Sequence, residues 1–240
     1  MAEEGWLQAR REGRRSRYAL DPATATRFQR AYQRVYAPVS PAWDGRWTVV
    51  LAPPGTDAAE QRADLRKELL WQGFGAIAPL VFGHPSPDAE TLEEILGRTG
   101  AKGNAFVCHA TESDLDGARP LEELIGQCWD LRTVIADYER LLDSFGSLPA
   151  VLDSADPLDP RQAFLVRTLL VHQYRRARLH DPQLPLELLP KAWPGKAAYE
   201  LCRRIYRASS PGAERHVMGI LRAQDADAPE AAPYFHQRFG

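Results

Sequence analysis

The sequence predicts an α+β protein built from three successive parts: a β-hairpin, a small segment of mixed strands and helices, and a long helical region. Three observations lead to this fold class. An arginine-rich stretch with alternating apolar residues comes first, strand and helix patterns then alternate, and helical periodicity dominates the second half of the 240-residue chain.

The stretch EEGWLQARREGRRSRYAL, residues 3–20, predicts a β-hairpin. Residues 5–7 lead into a first strand, and residues 16–20 return with apolar and polar side chains alternating. Glu12-Gly13 supplies the turn, because glycine tolerates the positive φ that a tight hairpin needs. A two-stranded hairpin alone is marginal in water, so it must pack on other structure.

Asp21-Pro22 predicts the start of a helix over residues 23–36, since Asp is a good N-cap and Pro suits the first helical position. The next segment predicts a small sheet covered by helices on one face. Strand patterns lie at residues 47–52, 74–82 and 104–110, and helical patterns at about 57–72 and 88–98. The order β-α-β-α-β favours a split β-α-β, ferredoxin-like arrangement.

The second half contains the clearest helical pattern of the sequence. Apolar residues recur in steps of three and four from Leu121 to Phe145, and Gly146 follows as a stop. Such a seam must be buried, so we expect a homodimer with this helix or the α/β domain at the interface. A partner helix within the same chain is the alternative. Another helix begins at Asp159-Pro160, and a shorter one follows the connector DPQLPLELLPKAWPG.

Composition and charge are those of an ordinary globular protein, with 44% hydrophobic and 26% charged residues and a formal net charge of −2. Residues 1–18 carry five arginines against three glutamates, so the hairpin is the part suited to nucleic acid. Cys108, Cys128 and Cys202 form no disulfide framework or zinc module and suit a reducing cytosol. No signal peptide or membrane span is apparent, and we expect a cytoplasmic protein.

No arrangement of residues predicts a catalytic centre, a metal site or a resident cofactor. GFGAIA at residues 73–78 matches G-x-G-x-x-A, but it follows a helix and opens a strand, the reverse of a dinucleotide-binding loop. Cys108 and His109 are neighbours on an apolar strand and point to opposite faces, which favours a structural cysteine. Glu93-Glu94 lies on a predicted solvent face. We therefore expect a protein that is not an enzyme.

Two groups of basic residues remain. The hairpin group predicts a wing that lays cationic side chains on phosphate or in a minor groove, and a simple charged turn is the alternative; it comprises Arg10, Arg11, Arg14, Arg15 and Arg17, with Tyr18. The second group either complements helix dipoles or grips an anionic ligand; it comprises Arg175, Arg176 and Arg178, followed by Arg203 and Arg204 on the next helix.

Five runs of the sequence resemble one known family. EEGWLQARREGRRSRYAL, PAWDGRW, LLWQGFGAIAP, LLVHQYRRARLHDPQLPLELLPKAWPG and YFHQRFG are similar to PaaX, the GntR-like repressor family of bacterial phenylacetate catabolism. The resemblance covers nearly the whole chain. It implies a winged helix-turn-helix, a central domain similar to the ferredoxin-like fold of the CRISPR spacer-acquisition nucleases, and an α-helical C-terminal domain. It also implies a homodimeric repressor that phenylacetyl-coenzyme A releases from its operator.

The resemblance implies four parts. Residues 1–22 are the wing hairpin of a truncated winged helix-turn-helix, 23–42 a linker helix, 43–116 the ferredoxin-like domain and 117–240 the helical domain. Family members carry three helices, including the recognition helix, before the wing, whereas four residues precede it here. We therefore expect weak binding to operator DNA.

An acyl-coenzyme A effector, as the resemblance implies, needs cations for its phosphates and an apolar slot for its aryl group. The candidate cations are Arg175, Arg176 and Arg203, and Trp193, Tyr174 or Tyr199 would line the slot.

A nuclease and a sensing or dimerisation module are the two alternatives to a repressor. Nucleases with the central fold hold a metal through an acidic residue at the end of the first strand. Here that strand ends Leu51-Ala52-Pro53-Pro54 and the next acid is Asp57, which argues against a nuclease. A truncated acyl-coenzyme A-sensing or dimerisation module without specific DNA binding stays open.

Overall fold

A computed structural model describes residues 7–12, 15–20, 32, 35–38, 43–52, 59–112, 120–154, 158–231, 235 and 237–240. Its helices and two antiparallel sheets confirm the α+β class. The chain divides into two compact units, the first formed by residues 1–38 with 227–240 and the second by residues 39–226.

The first unit contains the predicted hairpin. Strands β1 (Leu7–Glu12) and β2 (Arg15–Leu20) pair antiparallel, from Leu7 opposite Leu20 to Glu12 opposite Arg15. The hairpin is therefore confirmed, while the two residues between its strands lie outside the described residues. Most of the predicted helix 23–36 also lies outside them, but Tyr32, Val35 and Tyr36 are helical.

The second unit contains a four-stranded antiparallel sheet in the order β4-β5-β3-β6. Its strands and the two helices between them are β3 (Arg46–Leu51), α1 (Ala59–Trp71), β4 (Gly75–Ala78), β5 (Val81–His84), α2 (Ala89–Arg98) and β6 (Phe106–Thr111). The element order is thus β-α-β-β-α-β, which is the order of a split β-α-β unit.

The prediction of one strand over residues 74–82 is wrong, because a tight turn at Pro79-Leu80 divides it into β4 and β5. Leu80 has a φ of 64°, a value that glycine usually supplies. Its side chain packs against the core beneath the helices. An apolar residue therefore sits in the turn, and the sequence carries no polar break between the two strands.

Both faces of the sheet are covered. On one face, Val50 and Phe82 pack with Leu65 of α1 and Ile95 of α2, as the sequence predicts. Asp88 caps α2, since its carboxylate accepts a 2.8 Å hydrogen bond from the backbone N–H of Thr91. The opposite face packs on the following helical region, through a cluster that contains Trp47, Ile125, Trp129, Leu131, Leu184 and Leu188.

The helical region begins with α3 (Leu121–Cys128) and α4 (Leu131–Phe145), so the prediction of one continuous helix over this stretch is wrong. The break lies at Trp129, whose backbone is extended with a φ of −134°. Its indole N–H donates a 2.8 Å hydrogen bond to the carbonyl of Gly73. Asp130 then caps α4 by accepting a 3.2 Å hydrogen bond from the N–H of Thr133.

Three more helices complete the region: α5 (Leu148–Ser154), α6 (Pro160–His180) and α7 (Gly195–Gln224). The predicted cap of α6 is confirmed, because the Asp159 carboxylate accepts hydrogen bonds from two backbone N–H groups of its first turn. A short 3₁₀ turn, Leu186–Leu188, interrupts the connector. The last helix was expected to be shorter, but it extends over 30 residues and passes through Pro211.

Within the described part of the chain, no helix has the length and apolar character that crossing a membrane requires. The described residues also contain no group of three or more His, Cys, Asp or Glu side chains that could hold a metal ion.

Candidate functional site

The hairpin brings four of the predicted DNA-contacting arginines onto two adjacent strands. The register places Arg10 directly opposite Arg17, Arg11 opposite Ser16 and Glu12 opposite Arg15. Arg14 lies outside the described residues. Tyr18, opposite Ala9, has 62% of its surface exposed.

This register concentrates positive charge on a small element. Arginine is a residue type that binds phosphate through paired N–H donors, and the register places arginines on both strands of the hairpin.

Five residues were predicted to form the effector site, and they differ from one another in where the structure places them. Arg175 and Arg176 are exposed near the end of α6. Tyr174, on the same helix, is buried and interacts with Tyr199 and Cys202 of α7. Burial is the main cause that raises the pKa of the Tyr174 phenol.

The other two predicted residues lie on α7 and just before it. Arg203 is partly exposed and pairs with Glu200 at 3.5 Å. Trp193 is partly buried, and its ring meets Tyr138 edge to face with centroids 5.8 Å apart. Tyr199 interacts with both Arg178 and Arg203, so the end of α6 lies near the start of α7. The structure therefore gathers the aromatic residues inside this region, while Arg175 and Arg176 lie on its surface.

Sequence reasoning missed a buried polar network at the end of α6. Oδ2 of Asp181 accepts a 2.7 Å hydrogen bond from the Tyr138 hydroxyl and a 3.1 Å hydrogen bond from Nη1 of Arg178. Oδ1 of Asp181 accepts a 2.7 Å hydrogen bond from the backbone N–H of Gln183. All three network side chains, those of Tyr138, Arg178 and Asp181, are buried.

Electrostatics in this network follow from burial and from the Asp181 carboxylate. Burial, and then the neighbouring carboxylate, raise the pKa of the Tyr138 phenol. For Arg178, burial is the largest single effect and opposes the charged form, but the attractions of Asp181, Tyr138 and Tyr174 together outweigh it, so the net effect raises its pKa. The network thus holds one ion pair and one neutral phenol in the core.

The network also reaches the sheet. Nε2 of His84, at the end of β5, lies 3.3 Å from the carbonyl oxygen of Pro182. The sequence indicates this polar network only through the acidic residue that follows α6, because Tyr138 fits the apolar seam as one more position. Tyr138 and Asp181 lie 43 positions apart, so local sequence patterns could not predict their contact.

Comparison with known proteins places these features in a family. The family model described as "PaaX protein central Cas2-like domain" matches residues 40–122, and the one described as "PaaX-like protein C-terminal domain" matches residues 129–219. The chain is 38% identical over 240 residues to the transcriptional repressor PaaX of Escherichia coli (strain K12), which covers 99% of this chain and 75% of that protein.

A solved structure shares the fold. The uncharacterized protein Rv0674 from Mycobacterium tuberculosis superposes with a TM-score of 0.52 and 24% identity, over 88% of this chain and 78% of that one. The Escherichia coli relative is a transcriptional repressor, which belongs to the class of regulators and not to the enzymes, as the sequence predicts. Within that class, the chain belongs to the PaaX family.

Proposed function

We propose that the chain is a cytoplasmic, homodimeric transcriptional repressor of phenylacetate catabolism that phenylacetyl-coenzyme A releases from operator DNA. The observation that carries this proposal is the 38% identity to a transcriptional repressor over 99% of the chain. In this proposal, β1 and β2 form the wing of a winged helix, β3 to β6 form a ferredoxin-like domain, and α3 to α7 bind the effector.

The register of the hairpin supports its role at DNA. Half or more of protein–DNA hydrogen bonds go to phosphate and sugar, and arginine is a principal donor. Arg10 and Arg17 occupy opposite positions of the two strands, so the register concentrates basic residues on the element proposed to meet phosphate. Contacts of this kind supply affinity and salt dependence but little sequence preference.

The surface of α6 supports an anionic effector. Coenzyme A carries several phosphates, and exposed arginines bind phosphate through charge-assisted hydrogen bonds. Arg175 and Arg176 are both exposed on α6, and Arg203 is partly exposed on α7. Trp193 and Tyr138 of the same helical region already meet edge to face, a contact that an aryl group could extend.

The dimer interface is better sought in the α/β domain than along α4. Leu131 and Tyr138 of the predicted seam are buried within the chain, together with Val134 and Leu141 of the same helix, as expected of an intramolecular partner. By contrast, β6 forms one edge of the described sheet and exposes Phe106, at 64%, and Val107. Exposed edge strands with apolar side chains favour pairing with another chain.

A DNA titration tests the proposal. The 240-residue chain is titrated against a labelled operator fragment and a scrambled duplex over a series of salt concentrations. We expect binding that weakens steeply with salt, with a small preference for the operator. Failure to bind either duplex at about 50 mM salt, together with binding of phenylacetyl-coenzyme A, would favour a sensing module instead.

A further inference from the structure

The run YFHQRFG has no part in the proposed function, yet it belongs structurally to the unit that carries the hairpin. Residues 227–240 form one compact unit with residues 1–38, whereas residues 39–226 form the other. The chain therefore passes between the two units twice, near residue 39 and again near residue 227. We call residues 235–240 the strap.

Arg238 of the strap is held by three aromatic rings. Its guanidinium carbon lies 5.0 Å from the ring centroids of Tyr32 and Tyr36 and 4.2 Å from that of Phe235. Its Nε donates a 3.1 Å hydrogen bond to the Tyr32 hydroxyl. A planar guanidinium stacks on aromatic faces better than an ammonium group does, so this position is built for arginine.

Phe239 supplies the apolar half of the contact. Its side chain is fully buried, and its ring meets Tyr36 edge to face with centroids 5.1 Å apart. Tyr32 and Tyr36 are four positions apart in a helix and hence share one face, with their centroids 4.8 Å apart. Among the described residues of this unit, the buried apolar side chains are Val35, Tyr36 and Phe239. The strap therefore contributes to the core of the unit.

We propose that the strap fixes the helix carrying Tyr32 and Tyr36 and couples it to α7. The chain leaves α7 at Gln224 and continues through residues 225–234 into the strap. A change at α7 on effector binding is thus passed to the hairpin unit through a covalent connection that is separate from the linker at residues 39–42. The transmission of effector binding rests on the proposed function, whereas the anchoring of the helix does not.

Amide hydrogen exchange on the full chain tests the anchoring. In Arg238→Ala and Phe239→Ala we expect the amides of residues 32–37 to exchange about tenfold faster than in the parent, because each change removes a contact that resists local opening. Arg238→Lys, which keeps the charge but not the planar stack, should fall between. Arg161→Ala, which changes an exposed arginine of α6, should match the parent. Unchanged exchange at residues 32–37 in both alanine variants overturns the anchoring by the strap.

Added phenylacetyl-coenzyme A tests the transmission. In the parent, we expect effector binding to change the exchange of residues 7–20. In Arg238→Ala, that response should be lost while calorimetry shows the same effector affinity. A hairpin that responds equally in both chains overturns the transmission. A parent that does not bind phenylacetyl-coenzyme A refutes the proposed effector instead, and the anchoring by the strap is then tested by exchange at residues 32–37 alone.

Discussion

The hydroxyl of Tyr138 on α4 donates a 2.7 Å hydrogen bond to the carboxylate of Asp181, which follows the last residue of α6. The same carboxylate oxygen accepts from Arg178, at 3.1 Å. A single buried acid therefore joins two helices and the connector that runs from α6 to α7. The carboxylate is 2% exposed, so removing any partner leaves a polar group in the core.

Breaking this network should cost more than breaking a surface ion pair. We expect Asp181→Ala to lower the free energy of unfolding by ~3–5 kcal/mol, because it leaves Arg178 buried without its counter-charge. Tyr138→Phe should cost ~1.5–3 kcal/mol, the value of a hydrogen bond to a charged group. Glu200→Ala is the control, since its exposed pair with Arg203 should be worth under ~1 kcal/mol. Urea unfolding followed by circular dichroism measures all three, and equal losses would contradict a structural role for Asp181.

Stability should fall at alkaline pH. Burial raises the pKa of the phenols of Tyr138 and Tyr174 above 10.0 and that of the Cys202 thiol above 9.0. As the pH rises above about 9, the unfolded chain loses these protons while the folded chain keeps them. Stability is thus fully present below about pH 9 and declines as the pH rises, by ~1.4 kcal/mol per pH unit for each group that ionises only on unfolding.

The Cys202 part of this decline can be isolated. Cys202→Ala should flatten the profile between about pH 9 and pH 10, where the thiol is the first of the three groups to ionise in the unfolded chain. Cys108→Ala serves as the control because that side chain is partly exposed. Urea midpoints measured from about pH 8 to pH 11 give the slopes. A Cys202→Ala profile that is parallel to the parent's would show that the decline has another origin.

Local signals predicted the element boundaries well where one residue type decides the backbone. Asp159 caps α6 as expected, and Asp88 caps α2 at the start of the predicted helix 88–98, because a carboxylate at this position satisfies free backbone N–H groups wherever the helix lies. The hairpin was found for the same reason, from its turn and its alternating pattern. These effects act within a few residues, and no distant contact is needed to decide them.

Prediction failed where a distant contact decides the backbone. The apolar pattern continues through Trp129, yet the helix breaks there because the indole donates a hydrogen bond to Gly73, in the turn between α1 and β4. Leu80 turns the chain with a positive φ because its side chain is held by the core under α1 and α2. The network of Asp181 and the ring stack at Arg238 likewise join residues far apart in sequence.

The sheet approaches α3 closely at Gly75, so the change from glycine to alanine should have opposite effects on stability at Gly75 and at Gly126. A Cβ added at Gly75 would lie 2.6 Å from Cζ2 of Trp129 and 2.7 Å from Cβ of Cys128, whereas one at Gly126 would meet nothing within 4 Å. We expect Gly75→Ala to destabilise by ~1–3 kcal/mol through overpacking. Gly126→Ala, inside α3, should stabilise by ~1 kcal/mol through helix propensity. Thermal unfolding compares the pair, and a stabilising Gly75→Ala would refute the close packing.

The proposed effector site predicts a loss of affinity without a loss of folding. Arg175→Ala combined with Arg176→Ala should weaken the binding of phenylacetyl-coenzyme A by at least about tenfold, because two charge-assisted contacts to phosphate are removed. Both side chains are exposed, so stability should stay within about 0.5 kcal/mol of the parent. Arg132→Ala combined with Arg161→Ala removes the same charge from exposed positions elsewhere. Calorimetry that finds the two double variants equal to the parent would move the site away from this end of α6.

The hairpin predicts a change in salt dependence. Arg10→Ala combined with Arg17→Ala removes two basic residues from opposite positions of β1 and β2. If each side chain neutralises one phosphate, the slope of log K against log salt should become shallower by about 1.8. Binding to the operator and to the scrambled duplex should weaken equally, because phosphate contacts carry no sequence information.

The double variant Arg132→Ala with Arg161→Ala alters the net charge by the same amount but leaves the hairpin intact, and its slope should match the parent's. Fluorescence anisotropy over a potassium chloride series measures both slopes. Equal flattening in the two double variants would mean that net charge, and not the hairpin, governs the attraction to DNA.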